Sequence, residues 1–185
     1  MNNFCVDLNL PISPLRSDID VNSFPITPWQ LLSLDLINPD IKNLFKSLNL
    51  NLQVAALFVL TENSSGSIHV DGINISDVSK INWVVGSDHM MNWFQIKNPI
   101  TQKLVDTKIS DNANIPSRNY ISYTHDEVEL VHSHSVGYPS IIQAGIPHNV
   151  TNLSGIRRCI SIALFDRFRR PLTIAQASRV FAQYI

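Results

Sequence analysis

The stretch Ser67-Ile68-His69-Val70-Asp71-Gly72 decides how this chain reads. In an extended strand successive side chains alternate faces, so His69 and Asp71 point the same way. An imidazole and a carboxylate on one face supply two ligands of a metal site, and an open site needs a third. The best candidate is His148, in Gly145-Ile146-Pro147-His148-Asn149-Val150. Pro147 disfavours the helical region for Ile146 and keeps the approach to His148 extended. Asp71 and His148 stand 148 − 71 = 77 residues apart, so the fold must bring them together.

Around this stretch the pattern is mostly that of short strands. Val54 to Leu60 is an apolar run of strand length, ended by the polar turn Glu62-Asn63-Ser64-Ser65-Gly66. Ile81–Val85, Trp93–Ile96, Tyr120–Tyr123, Val128–Val131, Ser140–Ala144 and Arg157 to about Phe165 read as further strands. The polar segment 98–119, with Pro99 and Pro116, reads as a long loop, and His89 and His125 read as loop residues without an assigned role. Residues 1–26 read as extended or irregular, with one edge strand.

Helices are expected at both ends. Thr27-Pro28 and Asn38-Pro39 each look like a cap followed by proline in the first turn. They predict a short helix to about Leu36 and a second one whose Ile41, Leu44, Phe45 and Leu48 share a face. Thr173 would cap a closing helix, with Ile174, Ala177, Phe181 and Tyr184 on one side. Helices, then seven or eight strands, then a helix do not make the alternation of a parallel sheet. The order predicts a mainly β domain spanning 1–185, with its core at about 54–166. The expected form is a double-stranded β-helix, that is a cupin-like jelly roll, with two N-terminal helices and one C-terminal helix.

Composition sets limits. Hydrophobic residues make up 44% of the 185, enough for a sizeable core, and a formal net charge of −1 offers no basic field for nucleic acid. No apolar window reaches the length of a membrane span, and Met1–Leu10 shows no basic region before an apolar run. Cys5 and Cys159 lie far apart and form no CxxC pair. A soluble cytoplasmic protein is expected, with a small-molecule or side-chain substrate and neither nucleic acid nor membrane as partner.

Arg157-Arg158 opens the last strand. Two adjacent residues face opposite ways, so at most one arginine points inward. Arg157, Cys159, Ser161 and Ala163 form a face of small and polar side chains, whereas Arg158, Ile160, Ile162 and Leu164 form a greasy one. A ligand pocket favours the first face, and Arg157 there could hold a carboxylate in bidentate fashion. Two histidines and a carboxylate, for their part, match the facial triad of non-haem Fe(II) oxygenases.

Taken in order, these segments resemble the 2-oxoglutarate/Fe(II)-dependent dioxygenases, and in particular small phage and marine bacterial members related to prolyl and aspartyl/asparaginyl hydroxylases. The likeness rests on Ile68-His69-Val70-Asp71-Gly72, Ile81-Asn82-Trp83, Met91-Asn92-Trp93-Phe94, and Pro147-His148-Asn149-Val150-Thr151-Asn152 through Arg157-Arg158-Cys159-Ile160-Ser161. It implies that His69, Asp71 and His148 bind Fe(II), and that Arg157 pairs with the distal carboxylate of 2-oxoglutarate. Spacing from the histidine leaves Arg158 open for that role. Asn82, Trp93 and Ser161 would line the cofactor and substrate pocket. The implied reaction is hydroxylation coupled to decarboxylation of 2-oxoglutarate to succinate and CO₂, with ascorbate as a reductant.

A rival set remains. His132-Ser133-His134 is an HxH on a strand, and with His148 it resembles a metal cupin, an isomerase or a dioxygenase that needs no 2-oxoglutarate. No glutamate follows at the spacing a cupin expects. A jelly-roll binding protein without turnover is a third reading.

Overall fold

The computed structural model describes residues 4–71, 77–86, 88–98, 103–106, 119–137 and 139–185. Its strands are β1 Cys5–Asp7, β2 Trp29–Leu32, β3 Ala55–Leu60, β4 Ser64–Ser65, β5 Ile68–Val70, β6 Ser79–Val85 and β7 His89–Ile96. After these come β8 Lys103–Asp106, β9 Asn119–Tyr123, β10 Val128–His134, β11 Ser140–Gln143, β12 His148–Asn152 and β13 Arg157–Ala163. Two α-helices accompany them, α1 Pro39–Ser47 and α2 Ile174–Val180.

The strands form two antiparallel sheets, a β-rich sandwich. One sheet runs β1-β11-β6-β13-β3-β2 and the other β10-β7-β12-β5-β9-β8, with β4 alongside β12. From β3 onward the chain keeps changing sheets: β3, β6, β11 and β13 lie in the first, and β5, β7, β10 and β12 in the second.

The greasy parity of β13 faces away from the second sheet. Ile160 and Ile162 join Leu57, Val59, Ile81 and Trp83 in a core that α1 and α2 cover through Ile41, Phe45, Ala177 and Phe181. Phe45 and Phe181 meet edge to face, with ring centroids 6.4 Å apart. Between the sheets a smaller cluster unites Cys5 and Ile142 of the first sheet with Met91 and Trp93 of the second. The Trp93 indole also donates across the gap to the Gln143 carbonyl at 2.8 Å.

The caps at Asn38 and Thr173 act as expected. Asn38 accepts from the Asp40 amide, and Thr173 forms a reciprocal capping box with Gln176. The helix expected from Thr27-Pro28 does not form, so one helix, not two, precedes the strand region. Trp29–Leu32 instead pairs with β3, Trp29 opposite Phe58 and Leu32 opposite Ala55, and only a one-turn 3-10 helix follows at Leu34–Leu36. The cap signal is local, whereas β3 offers this segment a whole ladder of backbone partners. Two further corrections concern strands. His148–Asn152 is a strand in its own right, and β7 begins at His89, which is buried in the sheet and not in a loop. Within 98–119, Lys103–Asp106 pairs with β9; residues 99–102 and 107–118 lie outside the described residues.

Gly86 ends β6 with φ +91°, and a Cβ there would lie 2.5 Å from the Ile156 carbonyl oxygen, beside the start of β13. Gly86→Ala meets both left-handed strain and a backbone clash. It is expected to lower stability by about 2–3 kcal/mol, readable as a drop in the denaturant midpoint at unchanged m-value.

Candidate metal centre

A single row across the second sheet sets the site. His148 on β12 lies directly opposite His69 on β5 on one side and Trp93 on β7 on the other. The His69 and His148 rings stand 4.6 Å apart between centroids. Asp71 follows β5 by one residue, and its amide donates to the Ala144 carbonyl at 3.0 Å, which fixes the end of the strand against the chain leaving β11. One Asp71 carboxylate oxygen lies 3.6 Å from His69 Nε2 and the other 3.9 Å from His148 Nε2. The ligand atoms of His69, Asp71 and His148 all lie within 4.8 Å of one another, so one cation could be shared among them.

Both imidazoles are aimed in the same way. His69 Nδ1 donates to the Ser67 carbonyl at 2.8 Å, and His148 Nδ1 donates to the Ile146 carbonyl at 2.9 Å. Each bond places a proton on Nδ1 and turns Nε2 toward Asp71, as the outer hydrogen bonds of metal-ligating histidines do.

A further residue reaches the centre that the sequence reading passed over. Lys80 on β6 of the facing sheet puts its ammonium 2.6 Å from Asp71. The signal was present: Lys80 shares the strand parity of Asn82, and a lysine on the inward parity of an otherwise apolar strand needs an anion. Burial works to raise the Asp71 pKa, but Lys80 first, then the two histidines, outweigh it and hold the carboxyl well below its usual range. Burial, followed by repulsion from His69, pushes His148 down to about 4. For His69 burial acts downward too, yet the hydrogen bond and charge of Asp71 win and raise it.

These directions fix the proton inventory. Near neutral pH Asp71 is ionised and His148 neutral, and as pH falls His69 is the first of the three to take up a proton, which a metal must then displace. Calorimetric titration with Fe(II) or Mn(II) in buffers of different ionisation enthalpy should show about one proton released per metal below the His69 pKa, fading above it. Without metal, His69 stabilises the fold below its unfolded pKa and loses that contribution as pH rises through its raised value. His148 does the reverse, costing stability as pH falls from its unfolded value toward about 4. Lys80 competes with the metal for Asp71, so Lys80→Met is expected to tighten metal binding in the absence of other ligands by about tenfold.

The other residues singled out by sequence divide between the two faces of the first sheet. Asn82 pairs with Ser161 across β6 and β13, both buried, and Asn82 Oδ1 has no hydrogen-bond partner among the described residues. Arg157 is 2% exposed. It lies on the inner parity with Cys159, whose thiol feels Arg157 and Lys80 together; burial nevertheless raises that thiol's pKa. Arg158 is buried as well, at 7%, but on the parity of Ile160 and Ile162. The expectation that the two face opposite ways therefore holds, and the outward one is not left to solvent. Among the described residues neither arginine meets a carboxylate, and the Nε of each lacks a hydrogen-bond partner.

The HxH does not join this centre. His132 packs against Trp93 and Phe4, and His134 turns to Asp7 at 3.3 Å. The group around His148 contains His69 and Asp71 and neither of them. Trp93 stands between them, opposite His132 on one side and His148 on the other.

No family model matches this chain, and no curated protein matches it. Similar solved structures include the X-ray structure of E. coli ycfD, at 10% identity and TM-score 0.36, which covers 77% of this chain and 32% of that one. This chain thus spans about a third of that protein's length. Another is Peruvianin-I, a cysteine peptidase from Thevetia peruviana latex, at 13% identity and TM-score 0.37, covering 94% and 95%. Both scores fall below 0.5 and carry no functional argument. No helix among the described residues is long and apolar enough to cross a membrane.

Proposed function

We propose that this protein is a 2-oxoglutarate- and Fe(II)-dependent dioxygenase that hydroxylates an unidentified substrate and releases succinate and CO₂. The observation that carries the reading is the pairing of a two-histidine, one-carboxylate group with a buried arginine on the facing sheet that meets no carboxylate among the described residues. The strand order also supports a double-stranded β-helix, because successive strands from β3 to β13 distribute four and four between the sheets, with β4, β8 and β9 added.

The residues fit both groups. His69, Asp71 and His148 would hold Fe(II), and three protein ligands leave coordination positions open. The levels along the strands suit a short dicarboxylate. Asn152 bonds the Leu60 carbonyl, and Leu60 is the register partner of Arg157. Arg157 therefore begins about four residues along the sandwich from His148, roughly 13 Å at about 3.3 Å per residue. An arginine side chain spans part of that gap and a five-carbon diacid the remainder. Lys80 and Arg157 make the space around Cys159 cationic, and Asn82 and Ser161 line it with polar atoms.

When bound, iron and 2-oxoglutarate supply the oxidative chemistry. The chain positions and shields them. The Nδ1 bonds to Ser67 and Ile146 hold both imidazoles in the coordinating tautomer. Arg157 offers a bidentate fork to a carboxylate. Trp93 closes the floor beside His148, and Lys80, now paired with Asp71, would yield that carboxylate to a metal and keep its charge near incoming anions.

The test is binding, then turnover. Under anaerobic conditions with Fe(II), 2-oxoglutarate should quench tryptophan emission saturably, and with O₂ and ascorbate the protein should form succinate. Metal binding without 2-oxoglutarate binding would sink this reading and leave a metal cupin or a binding protein.

A further inference from the structure

A second group of metal-ligating side chains lies at the open edge of the sandwich, apart from the triad. Cys5 and Asp7 share one parity of β1, the edge strand of the first sheet, and His134 ends β10, the edge strand of the second. Their ligand atoms all lie within 4.8 Å of one another. His134 Nε2 is 3.3 Å from one Asp7 oxygen, and the other Asp7 oxygen accepts from the Ser140 hydroxyl at 2.6 Å. Asp7 and His134 are partly open to solvent, whereas Cys5 is buried at 4%. An ion thus has a way in and a sheltered sulfur to meet.

The donor chemistry differs from that of the triad. One thiol, one imidazole and one carboxylate form a borderline-soft set of the kind that takes zinc. Zinc ligands in tetrahedral array lie roughly 3.3–3.8 Å apart at bond lengths of about 2.0–2.3 Å. Small side-chain rotations would draw this group in to that span, with a water as fourth ligand. The Ser140 hydroxyl already orients the Asp7 carboxylate, as outer partners of metal ligands do.

We propose that Cys5, Asp7 and His134 bind a divalent cation of the zinc class, which clips the free edges of the two sheets together where the chain crosses from β10 to β11. Binding exchanges the Cys5 S–H proton for the metal: an Sγ–metal bond forms, the proton leaves to solvent, and no electron changes hands. Burial and the Asp7 charge raise the thiol to about 12 in the metal-free protein, so the thiol is a poor nucleophile and the metal is what draws off its proton. The site stands independently of the dioxygenase reading.

Cobalt(II) titration of the full chain separates the two sites, because only this one has sulfur. Wild type should take up two ions and show a thiolate-to-cobalt charge-transfer band in the near ultraviolet. Asp71→Ala should take up one ion and keep the band. Cys5→Ser should lose the band and bind one ion, and His134→Ala, which leaves the thiol in place, should bind zinc at this site at least about 100-fold more weakly. In the Asp71→Ala background zinc should raise the melting temperature, and adding His134→Ala should remove that rise. Absence of the charge-transfer band in folded wild type, or a band that persists in Cys5→Ser and so arises from Cys159, would overturn the proposal. Failure of 2-oxoglutarate to bind would leave all of these readouts unchanged.

Discussion

His148→Ala is expected to abolish iron binding at the triad and, with it, succinate formation. His148 is 5% exposed and stands between His69 and Trp93, so among the described residues no neighbouring side chain can replace its Nε2. Loss of an outer partner of a metal ligand costs 10- to 100-fold in affinity or activity. Removal of the ligand itself should cost about 10³-fold or more on the same scale. Asp71→Asn gives a second approach that keeps side-chain volume and weakens both the metal and the Lys80 contacts. His132→Ala is the matched control: it trims an imidazole on the same row of the sheet but outside the triad, and iron affinity should stay within about twofold. Equilibrium dialysis or calorimetry with Fe(II) or Mn(II) reads all three. A large loss in His132→Ala with none in His148→Ala would reverse the assignment of the centre.

The second large effect belongs to Arg157. Arg157→Ala should weaken 2-oxoglutarate binding by about 2–5 kcal/mol, roughly 30-fold or more, since it removes one partner of a buried charge pair. Iron affinity should hardly change. Arg157→Lys should rescue only in part, because an ammonium cannot reproduce the planar fork. Folding stability should move differently from binding. The arginine is buried with no carboxylate in reach among the described residues, and replacing it with methionine removes a desolvated charge while keeping most of the volume. Arg157→Met is therefore expected to be as stable as wild type or more so, yet unable to hold the cofactor. Arg158→Ala should show the opposite profile. Its side chain lies opposite Val59, within the core that the helices cover, so stability falls while cofactor affinity stays within about threefold. Equal loss of 2-oxoglutarate affinity in Arg158→Ala would transfer the role.

The triad was legible because its parts are short-range. A strand of period two turns His69 and Asp71 the same way whatever the rest of the chain does, and a proline before His148 keeps that approach extended. The two faces of β13 were legible for the same reason. What stayed hidden depends on partners. Trp29–Leu32 carries a helix cap and becomes a strand only because β3 needs a neighbour. Lys80 acquires meaning only when its sheet lies over Asp71, and His134 only when β1 comes alongside. His89 sits at a strand start that forms opposite Asn152 of β12, so its burial could not be read from local pattern. A helix that fails to form and a lysine overlooked share one cause: each is settled by residues far away in the chain.

The ladder from Ser122 through His69 to His148 has a consequence for how such a protein diversifies. β9, which follows the polar stretch 98–119, is hydrogen-bonded directly to the strand that carries His69. New sequence can enter between β7 and β9 without touching a ligand, since both histidines take their aim from carbonyls two residues upstream. Yet the strand that follows it is tied in fixed register to His69 and, through it, to His148. That one segment can therefore change by insertion and exchange, while the group of His69, Asp71 and His148 is inherited intact.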